Sequence, residues 1–370
     1  MRRLLLLLLA GCTPRQAQPS APPAEAPAPP FPPKGPWLRV GVGQARSFRV
    51  EAPGTLWVFV GERGERALPP GEYRVRLRRF GEGKFSYHVL VARYPTEAAA
   101  NEALFRLFRE GYDKAYVKTL GRRWGEADAR EWGLWVGPFG SLREAKRGAP
   151  RPYLWILKLY DEPPSGRVEL LKGKRVLAAA EGRLKLWSLK PLKLRGRSYP
   201  GFLEFIPWER ELVAVNVVQA EDYVAGVLPW EMGAEYPLEA LKAQAVLART
   251  HALWASGKKA RLIGAPYDLT DDQFTQIYKG VVERGERISR AVRETQGFVL
   301  VWGDRLIRAP FHSSSGGYTE AGEAVWGEPC PGTVAKPEGP GRVDSLDIKT
   351  FIDKPPPCWS DPEHVPAELK

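Results

Sequence analysis

The chain of 370 residues is 44% hydrophobic and 26% charged, which excludes a wholly disordered polymer and suits a globular body of two or three domains. Its formal net charge of +12 favours anionic envelope polymers or lipid head groups as surroundings, or simply keeps the protein soluble.

The N-terminus has three parts. Met1-Arg2-Arg3 is basic, Leu4 to Leu9 is an unbroken apolar run, and Ala10-Gly11 sets two small residues before Cys12. A secretory signal has this layout, and the run is too short to stay in a bilayer as a spanning helix. The small pair before Cys12 resembles a bacterial lipobox. It implies removal of residues 1–11, acylation of Cys12, and an exported protein held at the cell envelope by its lipid, on the membrane, periplasmic or outer face. Residues 12–36 are dominated by Pro and Ala and read as an extended, semi-rigid tether. Export argues against a nucleic-acid partner.

Residues 37–83 read as short strands: Leu38 to Val42, Ser47 to Val50 and Thr55 to Val60, with turns at Pro53-Gly54 and Pro69-Pro70-Gly71. Residues 84–161 change character. Tyr87 to Arg93 is a strand. Thr96 caps a helix over Glu97 to Glu110, with Ala100, Leu104, Leu107 and Phe108 at helical spacing and Gly111 as its stop. Strands follow at Asp113 to Thr119 and Trp132 to Gly137, then a short helix at Ser141 to Arg147 and a strand at Tyr153 to Tyr160. The order β-α-β-β-α-β predicts a ferredoxin-like module. Tyr87-His-Val-Leu-Val91, the helix after Thr96, and Trp135-Val-Gly-Pro-Phe139 followed by Ser141 and Glu144-Ala145 resemble a SPOR domain. That family binds peptidoglycan glycan strands stripped of their peptides. The second helix is shorter than is usual there, and the same residues also fit a spacer with no ligand.

Short strands return at Arg167 to Leu171, Leu184 to Leu189 and Phe202 to Phe205, so the module reads as an insertion into a larger β-containing unit. From Leu212 the pattern tightens. Leu212 to Val218 is an apolar strand, and Ala220 to Val227 is a short helix with Glu221 and Asp222 near its start, where the dipole favours acids. Leu228-Pro-Trp-Glu-Met232 follows. A second helix begins at Pro237 and runs to about Trp254; it is Ala-rich with a broad apolar side, which predicts burial against the sheet. Phe298 to Trp302 and Leu306 to Phe311 are strands, and His312 to Gly317 is small and polar.

These residues are similar to the SpoIID/LytB family. The match includes Val215-Asn216, Glu221-Asp-Tyr223, Gly226-Val227, Pro229-Trp-Glu-Met232, Pro237, Glu239 to Val246 and Ala248-Arg-Thr250. It continues through Gln276-Ile-Tyr278, Gly280, Ala291-Val292, Thr295-Gln-Gly297 and Phe311 to Thr319, with Tyr199 to Phe205 resembling the family's lead-in and residues 37–83 its detached N-terminal part. The resemblance implies an α+β protein: a mixed, β-rich SpoIID-type catalytic domain over residues 162–345 with a few helices, the ferredoxin-like SPOR-like module at 84–161, and a tail at 346–370. It implies a lytic transglycosylase that cleaves the β-1,4 bond between N-acetylmuramic acid and N-acetylglucosamine in denuded peptidoglycan. The product is a 1,6-anhydro end, made without water and without a cofactor. Some members are described as modifiers of cell-wall amidases. The alternative is therefore a non-catalytic envelope protein whose partners, beside glycan strands, are amidases or division proteins.

One carboxylic acid suffices for this chemistry, where hydrolytic glycosidases pair two. Glu231 is the candidate, because its apolar neighbours Trp230 and Met232 would raise its pKa and keep it protonated. Without the surrounding motif it would read as a surface carboxylate. Glu221, Asp222, Glu235 and Glu239 read as acids that complement helix dipoles. Lys242 and Arg249 lie two turns apart on nearly one face. They are either contacts for substrate hydroxyls, the lactyl carboxylate or Glu231, or a snorkelling lysine and an internally paired arginine. Tyr278 either meets a sugar or belongs to the core. His312, Ser313, Ser314, Ser315, Gly316 and Gly317 would line a sugar subsite; no Gly-x-Ser-x-Gly elbow points to acyl chemistry. Some relatives bind zinc through Cys and His just before Gln-x-Tyr. Tyr267 to Tyr278 here contains neither, so no metal is expected beyond a hard-cation reading of Asp268, Asp271 and Asp272. Cys330 and Cys358 flank part of a Gly/Pro-rich tail and are read as a disulfide in an oxidising compartment.

Overall fold

The computed structural model of the chain describes residues 5–8, 35–61, 63–258, 264–281, 285–312, 314–315, 318–327 and 330–337. Its body is two sheets around one core. The seven-stranded sheet runs, in spatial order, Leu269–Thr270, Trp37–Ala45, Glu211–Gln219, Phe202–Trp208, Leu184–Trp187, Leu56–Val60 and Arg63–Leu68. The six-stranded sheet runs Arg175–Glu181, Ser165–Lys172, Gly71–Gly81, Ser47–Ala52, Leu192–Leu194 and Arg197–Tyr199. Both sheets mix strands from before and after the inserted segment.

Alternation decides which side of each strand faces in. Leu38, Val40 and Val42 are buried along Trp37–Ala45, as are Phe48, Val50 and Ala52 along Ser47–Ala52. One continuous cluster joins these to Leu170, Leu203 and Phe205 of the neighbouring strands. Glu211–Gln219 is buried on both faces. Leu212, Ala214 and Val218 enter that cluster, while Val213 and Val215 pack with Trp208 under Tyr160 and Tyr267. Burial on two sides is why this strand reads as an apolar run rather than an alternation.

The inserted segment is an antiparallel sheet in the order Trp155–Glu162, Lys84–Tyr94, Glu131–Phe139, Ala115–Leu120. Helices α1 (Glu97–Arg109) and α2 (Leu142–Gly148) cover one face, where Val89, Ala103, Leu107, Leu134 and Ala145 cluster. Both helices start on a hydroxyl cap: Thr96 Oγ1 accepts from the Ala99 N–H at 3.3 Å and Ser141 Oγ from the Glu144 N–H at 3.2 Å. The centre of the other face is also buried, at Leu90, Leu120 and Trp135. The segment is docked on the body by several polar contacts. Trp124 donates to the Leu253 carbonyl at 3.0 Å, Arg122 pairs with Asp268 at 2.9 Å, and Lys258 pairs with Glu131 at 2.5 Å. Lys258 is buried, which lowers its pKa to about 8 against the pull of Glu131.

Helices α3 (Ala220–Glu231) and α4 (Leu238–Ala255) pack with the helix Glu286–Glu294. Here the structure differs from the sequence expectation. The first helix does not stop at Val227; it continues through Pro229 to Glu231. Proline forfeits one N–H bond, but the buried Val224, Val227 and Leu228 hold the helix on the core. Pro237 caps α4 instead of forming its first residue. The expected strand Leu306 to Phe311 shrinks to Arg305–Leu306, which pairs with Phe298–Trp302. Ala309 takes a left-handed φ of 49° and Pro310 has no donor, so extended pairing ends there. The backbone of Leu5–Leu8 lies antiparallel to Phe298–Val301. Cys12 and the tether up to residue 34 lie outside the described residues. Among the described residues no helix is long and apolar enough to cross a membrane.

Candidate active site

The site forms where residues 276–281 cross the C-terminal half of α3. Close approach is possible because Gly226 has no side chain: a Cβ there would lie 2.6 Å from the Gly280 carbonyl and 2.7 Å from the Tyr278 ring. Gly280 in turn takes a φ of +73°, with a Cβ position only 2.2 Å from the Ser198 carbonyl oxygen. Tyr278 stacks on Tyr223 of α3 at 5.0 Å between ring centroids. Its hydroxyl donates to Asn216 Oδ1 at 2.7 Å, and Asn216 Nδ2 donates to the carbonyls of Pro200 at 2.7 Å and Phe202 at 3.0 Å. The Val281 N–H donates to Ser198 at 2.6 Å. The crossing segment is therefore tied to a helix, a central strand and a hairpin at once.

This clamp delivers a backbone donor to Glu231. The glutamate is half-buried at the last turn of α3, and the Ile277 N–H bonds its carboxyl. Burial raises its pKa above 4.5, and the Ile277 bond only partly opposes this. The negative end of the α3 dipole acts in the same direction as burial. The result is an acid held toward its protonated form beside solvent. Two further polar groups act on Tyr223 of the same helix. Gln276 accepts from the Tyr223 hydroxyl at 3.3 Å, while its buried Nε2 has no partner among the described residues. Asp271 is half-buried; burial raises its pKa although Arg197 lies 3.4 Å away. Glu231 and Asp271 both add to the burial that raises the Tyr223 phenol.

The structure separates the other sequence candidates from this site. Arg249 is 1% exposed and has no surface to offer a sugar. It grips Glu221 with two bonds of 2.9 and 2.6 Å and donates to the Phe298 carbonyl at 3.1 Å. Glu221 is thus more than a helix-start acid, since it also accepts from the Gly297 N–H at 3.2 Å. Lys242 bridges Glu239 at 2.8 Å and Glu294 at 2.6 Å, tying α4 to the helix Glu286–Glu294. Bonds from Lys242 and Arg290 hold the Glu294 carboxyl down to about 2. Tyr278 is fully buried and acts through Asn216 and Tyr223, not as a sugar platform. Helical spacing sets Lys242 and Arg249 two turns apart; what lies against each of them decides its use.

His312 and Ser314 are exposed and Ser315 is half-buried on irregular chain, while Ser313, Gly316 and Gly317 lie outside the described residues. The hard-cation reading fails because the three aspartates turn to different partners. Asp268 pairs with Arg122 and Asp271 with Arg197, while Asp272 accepts from the Phe274 N–H. Cys330 is half-buried and has no disulfide partner among the described residues, and Cys358, its expected partner, lies outside them. Sequence reading passed over Asn216, Gln276 and Lys279 as site residues. Their only signal was a place inside or beside the recognised motifs.

The clamp makes a stability prediction. Tyr278→Phe should leave Asn216 Oδ1 buried without its donor and destabilise the full chain by about 1–3 kcal/mol, read as a lowered midpoint in urea. An unchanged midpoint would mean that the Tyr278–Asn216 bond contributes nothing to stability.

The family model described as "SpoIID: Stage II sporulation protein" matches residues 209–302, the span that contains α3, α4 and residues 276–281. An uncharacterized protein of Brachyspira hyodysenteriae is 39% identical over 138 residues, 37% of this chain and 37% of that protein. The amidase enhancer of Bacillus subtilis is 37% identical over 145 residues, 36% of this chain and 19% of that one. Stage II sporulation protein D of Bacillus subtilis is 36% identical over 130 residues, 32% of this chain and 38% of that one. The aligned part is thus less than two fifths of each relative's length.

Proposed function

We propose that this chain, a member of the SpoIID/LytB family, remodels the bacterial cell wall as a lytic transglycosylase acting on peptide-free glycan strands. The supporting observation is Glu231, a half-buried acid with a raised pKa at the rim of a rigidly clamped loop. In the proposed step the Glu231 carboxyl gives its proton to the bridging oxygen as the C1–O bond of N-acetylmuramic acid breaks. The carboxylate left behind takes the proton of the same sugar's 6-hydroxyl as O6 bonds to C1. The acid is restored, no water is consumed, and the products are a free 4-hydroxyl and a 1,6-anhydro end. The Ile277 N–H would stabilise the carboxylate in the middle of this cycle.

The test is mass spectrometry of peptide-free glycan incubated with the full chain; a product set without anhydro ends would defeat the transglycosylase reading. Similarity to an amidase enhancer supports a second reading, a non-catalytic partner of wall amidases. That reading gains if amidase turnover rises with the protein present while no glycan is cut.

A pH profile follows from the raised pKa. The acid must be protonated to begin, so the rate should hold above the ordinary carboxylate value of 4.5 and fall as pH rises through the shifted value. A rate that climbs steadily with pH across that range would contradict an acid role for Glu231.

The inserted sheet supports a ferredoxin-like, SPOR-like module, through its strand order and its two helices on one face. Its helix-free face is buried at the centre, so a glycan would meet it at the exposed Lys118 and Trp155. Lipid on Cys12 and the Pro/Ala tether would confine cutting to wall near the membrane. Cys12→Ala should then move the protein from the membrane to the soluble fraction without changing turnover of soluble glycan.

A further inference from the structure

We propose that Trp230 and Lys279 form a sugar-stacking subsite beside Glu231: the free face of the indole takes a pyranose ring, and the Lys279 ammonium takes the lactyl carboxylate of a peptide-free muramic acid. The proposal rests on the glycan-cleaving reading of Glu231 and gives that site a substrate contact.

Trp230 precedes Glu231 in the last turn of α3 and is 43% exposed, an unusual place for so large an apolar surface. Lys279 Nζ lies 3.5 Å from the centre of its ring. A cation over one face fixes the plane of the indole and occupies that face alone. The indole keeps exposed surface next to Glu231 in the chain, where a sugar ring can reach it. Pyranose rings present C–H groups with slight positive charge, which suits the negative face of an aromatic ring. Lys279 is placed as firmly as the indole, since it sits between the buried Tyr278 and the clamped Gly280. Among the described residues it forms no ion pair, so its charge is available to a ligand. Two more aromatic side chains are exposed on the flanking segments. Tyr236 lies between α3 and α4, and Phe274 lies just before Gln276. Three exposed rings on the segments that carry or flank the acid and its clamp fit a long, ring-built polymer better than a small ligand.

The carboxylate assignment follows from the substrate. A muramic acid without its peptide ends in a free carboxylate, whereas a peptide-bearing one ends in a neutral amide. A lysine at this distance from the stacking plane would favour the first.

The test uses the full chain carrying Glu231→Gln, so that ligand is bound but not cut. Calorimetry measures two probes: a peptide-free muramic-acid-containing glycan fragment, and a neutral N-acetylglucosamine oligomer of equal length. Adding Trp230→Ala should weaken both by about tenfold. Trp230→Phe should keep most of the affinity and shows that the fold survives. Lys279→Gln should weaken only the muramic-acid probe, and the loss should shrink as salt is raised. Parental affinity in Trp230→Ala, equal loss of both probes in Lys279→Gln, or no binding of either probe by the parent would each overturn the subsite. Cleavage by the wild-type chain is scored separately. If Trp230→Ala weakens binding while the wild type makes no anhydro ends, the subsite stands and the transglycosylase reading falls.

Discussion

Glu231→Gln should lower the release of anhydro-ended glycan by about a hundredfold to ten-thousandfold while the chain stays folded. Glutamine keeps the size of the side chain and can still face the Ile277 N–H, but it has no proton to give to a leaving oxygen. The environment of Glu231 makes this effect specific. Burial and the end of α3 hold the carboxyl toward its neutral form, so exchanging it for a neutral amide changes the local electrostatics little. The unfolding midpoint should therefore stay near that of the parent, or rise. Glu231→Asp keeps the acid but withdraws it by one methylene, and should still lose about a hundredfold through misplacement. Glu235 offers the control: it is exposed on the loop after α3, and Glu235→Gln should leave turnover unchanged. Equal release by Glu231→Gln and the parent would end the single-acid mechanism.

The largest effect on stability is expected at the Arg249–Glu221 pair. Arg249 is 1% exposed, and Glu221 provides both of its carboxylate contacts, at 2.9 and 2.6 Å. Glu221→Ala leaves a guanidinium buried with only backbone carbonyls for company, and should cost about 3–5 kcal/mol in denaturant unfolding. Arg249→Met should cost less, because the Glu221 side chain keeps 28% exposure and can be hydrated once its partner is gone. The double variant should recover part of the loss in a double-mutant cycle. Equal and additive losses would mean that the pair is not coupled. Glu221 also accepts from Gly297, so its removal should loosen the entry to the strand Phe298–Trp302 as well as α3 and α4.

Much of the framework was legible in the chain because its signals are local. Thr96 and Ser141 were readable as caps, since a hydroxyl before an apolar-periodic stretch has one main use. Leu212 to Val218 was readable as a strand from its run of apolar residues, and the structure extends it to Glu211–Gln219. Glu231 was singled out as a candidate through its motif and not through its surroundings, which the sequence placed outside the helix. The structure put it inside α3, because core contacts of Val224, Val227 and Leu228 outweigh the bond lost at Pro229.

By itself, then, the sequence determined the periodicities and the helix caps, and its motifs singled out Glu231 as the candidate acid. Only the tertiary structure decided how the neighbouring charges and rings are used. Spacing along a helix says which residues share a face but not what lies against that face. Lys242 became a bridge to Glu294, and Arg249 became the buried partner of Glu221. Tyr278 became a clamp on Asn216, 62 residues away in the chain, and Lys279 came to lie over Trp230. Contacts made across such separations leave no local pattern, because they exist only after the chain has closed on itself.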